Sequence, residues 1–362
     1  MKIYLDNIAF SLQKAGGISV YFTELIGRML SNKLDVEFIE HKKARFNIFR
    51  NMLSLPPGNI RNEAFFPLTL IRYLPVRITD TNNNHAIFHS SYYRTCKNKN
   101  IRNVITVYDF TYEYFGSGLS KYVHDRQKRD AVNKADGIIC ISENTKNDLL
   151  KLCGNIDSNK IKVIYLAASD EFHKLNDNDI INLKDIIADI NKINYVLFVG
   201  SREYHKNFDV AISSVKRLDG YRLVIVGGKP LSKSELQVLE NELPGRYLYL
   251  GKVDNRLLNI LYNFAFCLLY PSTYEGFGIP ILEAMQAGCP VVTTNKSSIP
   301  EVCGEAGLMA DSICSDELSR LMRLLETDSF REERIKLGFE QANKFSWDKT
   351  YRDTVDFYAQ LF

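Results

Sequence analysis

The chain has 362 residues, 45% hydrophobic and 25% charged, a length and balance that fit a folded protein of two domains and exclude the disordered and fibrous classes. A formal net charge of +3 and a pI near 8.3 are too mild to argue for nucleic acid, whereas an anionic small molecule fits. The seven cysteines lie mostly in apolar runs without close pairing and read as buried thiols in a reducing compartment.

The first residues, MKIYLDNIAF, form a strand-like run without a cationic start or a long apolar stretch, so no signal peptide is expected. No apolar segment reaches the roughly 18 residues of a spanning helix. After the strand KIYLD comes Gly16-Gly17, then ISVYFTELIGRML, whose Val20, Leu25, Ile26 and Met29 suit a helix. Short apolar runs follow at DVEFIE, HAIFHS, NVITVYD, DGIICIS and KIKVIYL, with helix-like SKYVHDRQKRDAVNKA and ENTKNDLLKLCG around the fourth. Between the first two of these runs, residues 45–77 are rich in Arg, Phe and Leu and show no obvious strand. The polar stretch Tyr165 to Asp179 marks a boundary, after which NYVLFVG, YRLVIVGG, RYLYLG, AFCLLYPS and CPVVTTN alternate with helical segments. Such alternation predicts an α/β protein with mostly parallel sheets covered on both faces. Its division is expected at 1–170 and 171–345, with 346–362 a final helix capped by Ser346 that packs back on the first domain. Two similar sheets facing across a cleft would bind a ligand beyond the carboxyl ends of their strands.

Three stretches carry chemistry. Ala15 to Ser19 lies between a strand and a helix, where amides and the helix dipole can hold an anion, or where a tight turn needs no ligand at all. Its adjacent glycines do not make the G-x-G-x-x-G dinucleotide fingerprint. Arg202 and Lys206 likewise sit between strand and helix, a bidentate and a point-charge partner for phosphate, or else a solvated cluster, with Asn207 capping the helix. In PSTYEGFGIPILEA, Pro280 suits a first helical turn and Gly288 closes the helix. Glu275 then hangs in the loop and Glu283 falls in the first turn, where its charge would complement the dipole. Gly276 and Gly278 leave peptide N–H groups unshielded, as an approaching diphosphate requires. A glycosidase acid and base pair is the alternative for the two carboxylates, but the glycines and the upstream cations fit a phosphate better.

With these residues the chain resembles the family-four retaining glycosyltransferases, which have the GT-B architecture of two Rossmann-like domains. The likeness rests on GGISVYF, FHSSYYR, ITVYDFTYEYF and ADGIICISENTKNDL in the first half. In the second half it rests on VGSREYHKNF, SSIPEVCGEAGL and above all the two glutamates separated by seven residues. The resemblance implies that Arg202 and Lys206 grip the donor diphosphate and that Glu275 lies by the donor sugar as a catalytic group, while Glu283 binds the ribose hydroxyls. It implies donor contacts from Gly17, Gly200, Ser201, Gly276, Phe277, Gly278 and Ile279, and from Val253 near the base. His89, Tyr108 and Asp109 fall in the acceptor and sugar vicinity. Tyr108 stands where the family often has histidine, and His205 where many relatives have arginine.

The implied activity is transfer of a hexose, best read as mannose from GDP-mannose, with retention by front-face attack. The acceptor would be a glycan linked to undecaprenyl diphosphate, in O-antigen, capsule or lipopolysaccharide assembly. No metal or cofactor is called for if Arg202 and Lys206 neutralise the diphosphate, and no nucleic-acid partner is expected. The implied location is cytoplasmic, at the inner face of the membrane, with peripheral contact through the basic aromatic segment 45–77. A UDP- or other nucleotide-sugar donor, a nucleotide-sugar epimerase of the same architecture and a non-catalytic nucleotide-sugar-binding protein are the alternatives.

Overall fold

A computed structural model describes residues 1–63, 67–79, 85–176, 179 and 193–362. The chain forms two compact units, 1–166 with 346–362, and 167–345.

In unit 1 seven parallel strands, β1 (Lys2–Asp6), β2 (Val36–Glu40), β3 (Ile60–Asn62), β4 (Ala86–Ser90), β5 (Ile101–Val107), β6 (Gly137–Cys140) and β7 (Ile161–Val163), are ordered 3-2-1-4-5-6-7. Runs such as AIFHS and GIIC are buried at every position, as strands covered on both faces require. β3 is a finding: residues 45–77 do hold a strand, a short edge paired with β2, together with the helix Leu68–Ile71. Ile60-Arg61-Asn62 is too short and polar to show a period of two. The helix Gly17–Ser31 buries Tyr21, Phe22, Leu25, Ile26 and Met29, so its apolar face is centred one residue beyond Val20, which lies half-buried on the flank.

The helix Trp347–Ala359 belongs to the same unit. Ser346 caps it by accepting from the Lys349 amide, Thr350 donates to the Tyr165 carbonyl at 2.7 Å, and Arg28 pairs with Asp348 at 2.6 Å.

In unit 2 six parallel strands, β8 (Tyr195–Val199), β9 (Arg222–Val226), β10 (Tyr247–Gly251), β11 (Cys267–Tyr270), β12 (Val291–Thr294) and β13 (Leu308–Ala310), are ordered 10-9-8-11-12-13. This is the doubly wound order, and it reverses direction between β8 and β11. One face of the sheet packs Val196, Phe198, Leu223, Ile225, Leu269 and Val292 against helices that include Phe208–Lys216 and Ser315–Leu324. All seven cysteines are free thiols, five of them buried. Among the described residues no helix is long and apolar enough to cross a membrane.

Candidate functional site

The reversal point of unit 2 opens between the loops that follow β8 and β11, and these loops are stitched together. Asn207 sits at the start of the helix Phe208–Lys216 with φ 51° and ψ 49°, but its side chain does not cap that helix. Its amide instead donates to the Pro271 carbonyl and to Thr273 Oγ1, both at 2.7 Å, and the Thr273 amide donates to the His205 carbonyl at 2.7 Å. His205 is therefore part of the hinge between the loops, 6% exposed. Across this seam Lys206 Nζ pairs with Glu275 and reaches the Tyr270 hydroxyl at 3.3 Å. Burial pushes the Glu275 carboxyl up, but the Lys206 charge and neighbouring hydroxyls outweigh it and hold it below the ordinary range.

Arg202 lies on the same loop but turns to other partners. Its Nε donates to Glu235 at 2.7 Å, Nη1 to the Gly227 carbonyl at 3.3 Å and Nη2 to the Lys229 carbonyl, and the guanidinium lies over the Tyr249 ring. The side chain is 4% exposed. Glu235 does two jobs, since its other oxygen accepts from the Ser232 amide in a capping box. The S-x-x-E spacing makes the cap visible in the sequence; the reach to Arg202 is not. Gly200 closes β8 with φ 131° and open space where a Cβ would stand, and Ser201 follows it half-buried.

The helix after β11 runs from Ile279 to Gln286, with Pro280 in its first turn and Gly278 at φ 110° before it. Glu283 is thus in the second turn, not the first, and its charge is too far along to compensate the dipole as expected. The Tyr262 hydroxyl donates to Glu283 at 2.9 Å, and burial raises the Glu283 carboxyl to about 7. Burial pushes the Tyr270 hydroxyl up, and the charges of Glu275 and Glu283 add to this. The amides of Gly278 and Ile279 donate no hydrogen bond among the described residues. Ser298 donates to the carbonyls of Glu275 and Phe277 at 3.0 and 2.9 Å, and Ser297 bonds Glu275 in both directions. These serines, with Glu235 and Tyr262, are the residues that sequence reasoning missed, while Asn207, expected to cap its helix, ties the two loops instead. Val253 is half-buried between β10 and the helix Asn255–Phe264. No cluster able to hold a metal ion occurs among the described residues.

The unit 1 residues are placed differently from one another. Gly17 begins its helix with nothing within 4 Å of a would-be Cβ. Tyr108 is 8% exposed and donates to the Ser91 carbonyl at 3.1 Å, while Asp109, half-buried, accepts from the Thr111 amide at 3.0 Å. His89 is fully buried, with Nδ1 at 2.5 Å from the Tyr358 hydroxyl and Nε2 at 2.8 Å from Thr106 Oγ1. Burial lowers it to about 3, so the ring is neutral and both nitrogens are engaged in the interior.

Residues 15–171 match the family model Glycosyltransferase Family 4, and residues 180–342 match Glycosyl transferases group 1. An O-antigen chain mannosyltransferase B from Escherichia coli is 46% identical over 114 residues, 31% of this chain and 30% of that protein. The O-antigen chain mannosyltransferase RfbU of Salmonella typhimurium is 34% identical over 208 residues, 56% of this chain and 55% of the relative. The matches thus span about half or less of these curated relatives. Among solved structures, Anabaena HepE in complex with UDP and glucose superposes with a TM-score of 0.74 at 16% identity, over 98% of both chains. WaaG, a glycosyltransferase involved in lipopolysaccharide biosynthesis, does so with 0.70 at 15%, over 98% of this chain and 99% of its own. At such identities the likeness is one of fold, GT-B, with its two parallel α/β sheets.

Proposed function

Because the chain belongs to the glycosyltransferases whose two domain models it carries, we propose that it transfers mannose from GDP-mannose to a glycan, with retention at the anomeric carbon. The observation that carries this reading is the Lys206–Glu275 pair at the reversal point of unit 2, where doubly wound sheets bind nucleotides. In the reaction the bond from the sugar C1 to the diphosphate oxygen breaks and a bond to the acceptor oxygen forms on the same face. The departing phosphate oxygen takes the acceptor proton. Lys206 supplies a mobile charge for the diphosphate, and Glu275, ionised by that same lysine, positions the donor sugar. Arg202 spends three of its N–H groups on Glu235 and two carbonyls, which leaves about two of a guanidinium's five for phosphate oxygens and fixes their direction. The unengaged amides of Gly278 and Ile279 face the same task at a helix N-terminus, beside the neighbouring peptides of Gly276 and Phe277, while Gly200 and Ser201 line the phosphate approach. Glu283 receives the ribose hydroxyls and Val253 packs near the base. Gly17 serves the donor, and Tyr108 and Asp109 serve the acceptor and sugar side.

Mannose is favoured by the Escherichia coli and Salmonella relatives, both O-antigen chain mannosyltransferases; the UDP bound by the Anabaena neighbour favours a UDP-sugar as second reading. The acceptor in this reading is a glycan on undecaprenyl diphosphate at the inner face of the cell membrane. Contact there would run through 45–77, where Phe46, Ile48 and Met52 are 59%, 52% and 69% exposed; residues 64–66 of this segment lie outside the described residues. Flotation with anionic liposomes checks this contact, and no binding removes it. A thermal-shift screen of GDP-, UDP-, dTDP- and ADP-sugars tests the donor. Stabilisation by GDP-mannose that Glu283→Ala abolishes is the expected result; stabilisation by none of them, or full transferase activity of Glu283→Ala, overturns the donor-site assignment.

A further inference from the structure

We propose that unit 1 carries a second glycan-binding site, a groove between the β4–β5 connection and the helix Gly118–Lys134, which holds acceptor sugars remote from the reacting end. The proposal rests on the reading of the chain as a glycosyltransferase acting on a glycan. A parallel sheet normally routes each connection through a covering helix, but residues 91–100 return from β4 to β5 without one. The space left is a cavity of about 440 Å³, within the size range of small-ligand sites.

Gln127, Asp130 and Lys134, at positions i, i+3 and i+7, line it from one face of the helix. Lys97 stands in the connection, and Tyr73, 46% exposed, belongs to the mouth. Gln127 Nε2 ties two segments of the lining together by donating to the Arg72 carbonyl at 2.7 Å and weakly to that of Tyr93, yet its Oε1 is buried with no donor. An unpaired buried carbonyl of this kind costs about 1–3 kcal/mol, and a small turn of the Gln127 amide toward a ligand hydroxyl in the groove would satisfy it. Tyr93, in the same lining, is held at φ 52° and 5% exposed, a conformation costly for an aromatic residue and typical of functional segments. Lys134 pairs with Asp130 at 2.6 Å, Asp136 with Arg102 at 3.1 Å, and Arg94 is buried against Asp6 and Glu63, so of the four cations in the lining Lys97 and Lys99 alone stand outside these pairs. An exposed ring, the Asp130–Lys134 ion pair and the Gln127 amide together suit neutral sugars, whose hydroxyls donate and accept and whose C–H faces stack.

The test uses the full chain with an α-linked mannotetraose and methyl mannoside as acceptor probes. Tyr73→Ala and Asp130→Ala change exposed side chains and leave the packed interior intact. Each is expected to raise KM for the tetrasaccharide about tenfold, with kcat, methyl mannoside transfer and GDP-mannose binding unchanged. Saturation-transfer NMR should show the tetrasaccharide's remote sugars saturated on the wild-type chain and only its reacting end on the double variant. Unchanged tetrasaccharide KM, or equal losses for both acceptors, overturns the groove while leaving the donor reading intact. If no nucleotide sugar binds, the transferase reading falls, and the NMR comparison alone still decides whether sugars occupy the groove. A Tyr73→Ala variant that loses liposome flotation but keeps the NMR signal assigns that ring to the membrane and also overturns the proposal.

Discussion

At the residue scale the two carboxylates of the E-x7-E pair are in opposite electrostatic states. Glu275 is kept ionised by Lys206, whereas burial lifts Glu283 to about 7 with only the Tyr262 hydroxyl as a counterweight. A carboxyl raised in the folded state binds its proton more tightly there than in the unfolded chain. Its contribution to stability is therefore full below the unfolded value, falls as pH rises, and is lost above about 7. Glu283→Gln, which keeps an acceptor for Tyr262, should be more stable than wild type by about 2 kcal/mol at pH 8 and nearly equal to it at pH 4. Urea titrations at the two pH values check this. If the ionised form receives the ribose, nucleotide affinity should weaken as pH falls below about 7 in the wild type and be flat with pH in the variant. His89 behaves in the reverse sense: lowered to about 3, it favours the folded state at neutral pH and loses that contribution as pH drops below the ordinary histidine range. His89→Phe strands the hydroxyls of Tyr358 and Thr106 and should cost about 2 kcal/mol at pH 7. An unchanged donor KM would fit a ring that acts in the interior; a large rise would return it to the sugar vicinity.

At the scale of elements, the site depends on how one loop is held. The Glu275 loop hangs on Ser297 and Ser298, the latter fully buried and shared between two carbonyls. Ser298→Ala removes both bonds, lets the glycine amides drift, and should raise donor KM about tenfold while lowering stability by about 1–3 kcal/mol; steady-state kinetics well below the melting temperature separates this from general unfolding. The strands flanking this loop were legible in sequence because buried parallel strands are continuous apolar runs, as in CLLY and VVTT. β13 and the edge strand β3, three residues each, were not, because neither lies in a longer apolar run as the equally short β7 does in KIKVIYL. Lys206 and Glu275 were legible as chemistry, since cations and glycines cluster in few other places. Their partners were not: Glu235 is 33 residues from Arg202 and Ser298 is 23 from Glu275, and only the fold brings such pairs together. His89 shows the converse, a polar residue at a strand end whose sequence position gives no sign that Tyr358, 269 residues on, has claimed it.

At the scale of the whole molecule, the two units differ in continuity. Unit 2 is one unbroken stretch, 167–345, with its own sheet and core, whereas unit 1 needs 346–362 to be complete. Arg202, Lys206, Val253, Glu275 and Glu283 all lie in unit 2; of the residues proposed to bind the donor, Gly17 alone lies in unit 1. A fragment of residues 167–345 should therefore fold alone and bind the nucleoside diphosphate with most of the affinity of the full chain. At a free concentration of 100 times its Kd the nucleotide adds about 2.7 kcal/mol to the fragment's stability, which denaturation with and without GDP reads directly. A fragment of residues 1–166 should fail to fold, because without the last helix Tyr21 loses the cover of Trp347, His89 that of Tyr358 and Gly137 that of Phe357, each aromatic worth about 1.5–3 kcal/mol when buried. Adding back a peptide of residues 346–362 should restore its circular dichroism. A folded 167–345 fragment that ignores GDP, beside a full chain that binds it, would move the decisive nucleotide contacts out of unit 2 and onto the glycine loop at Gly17.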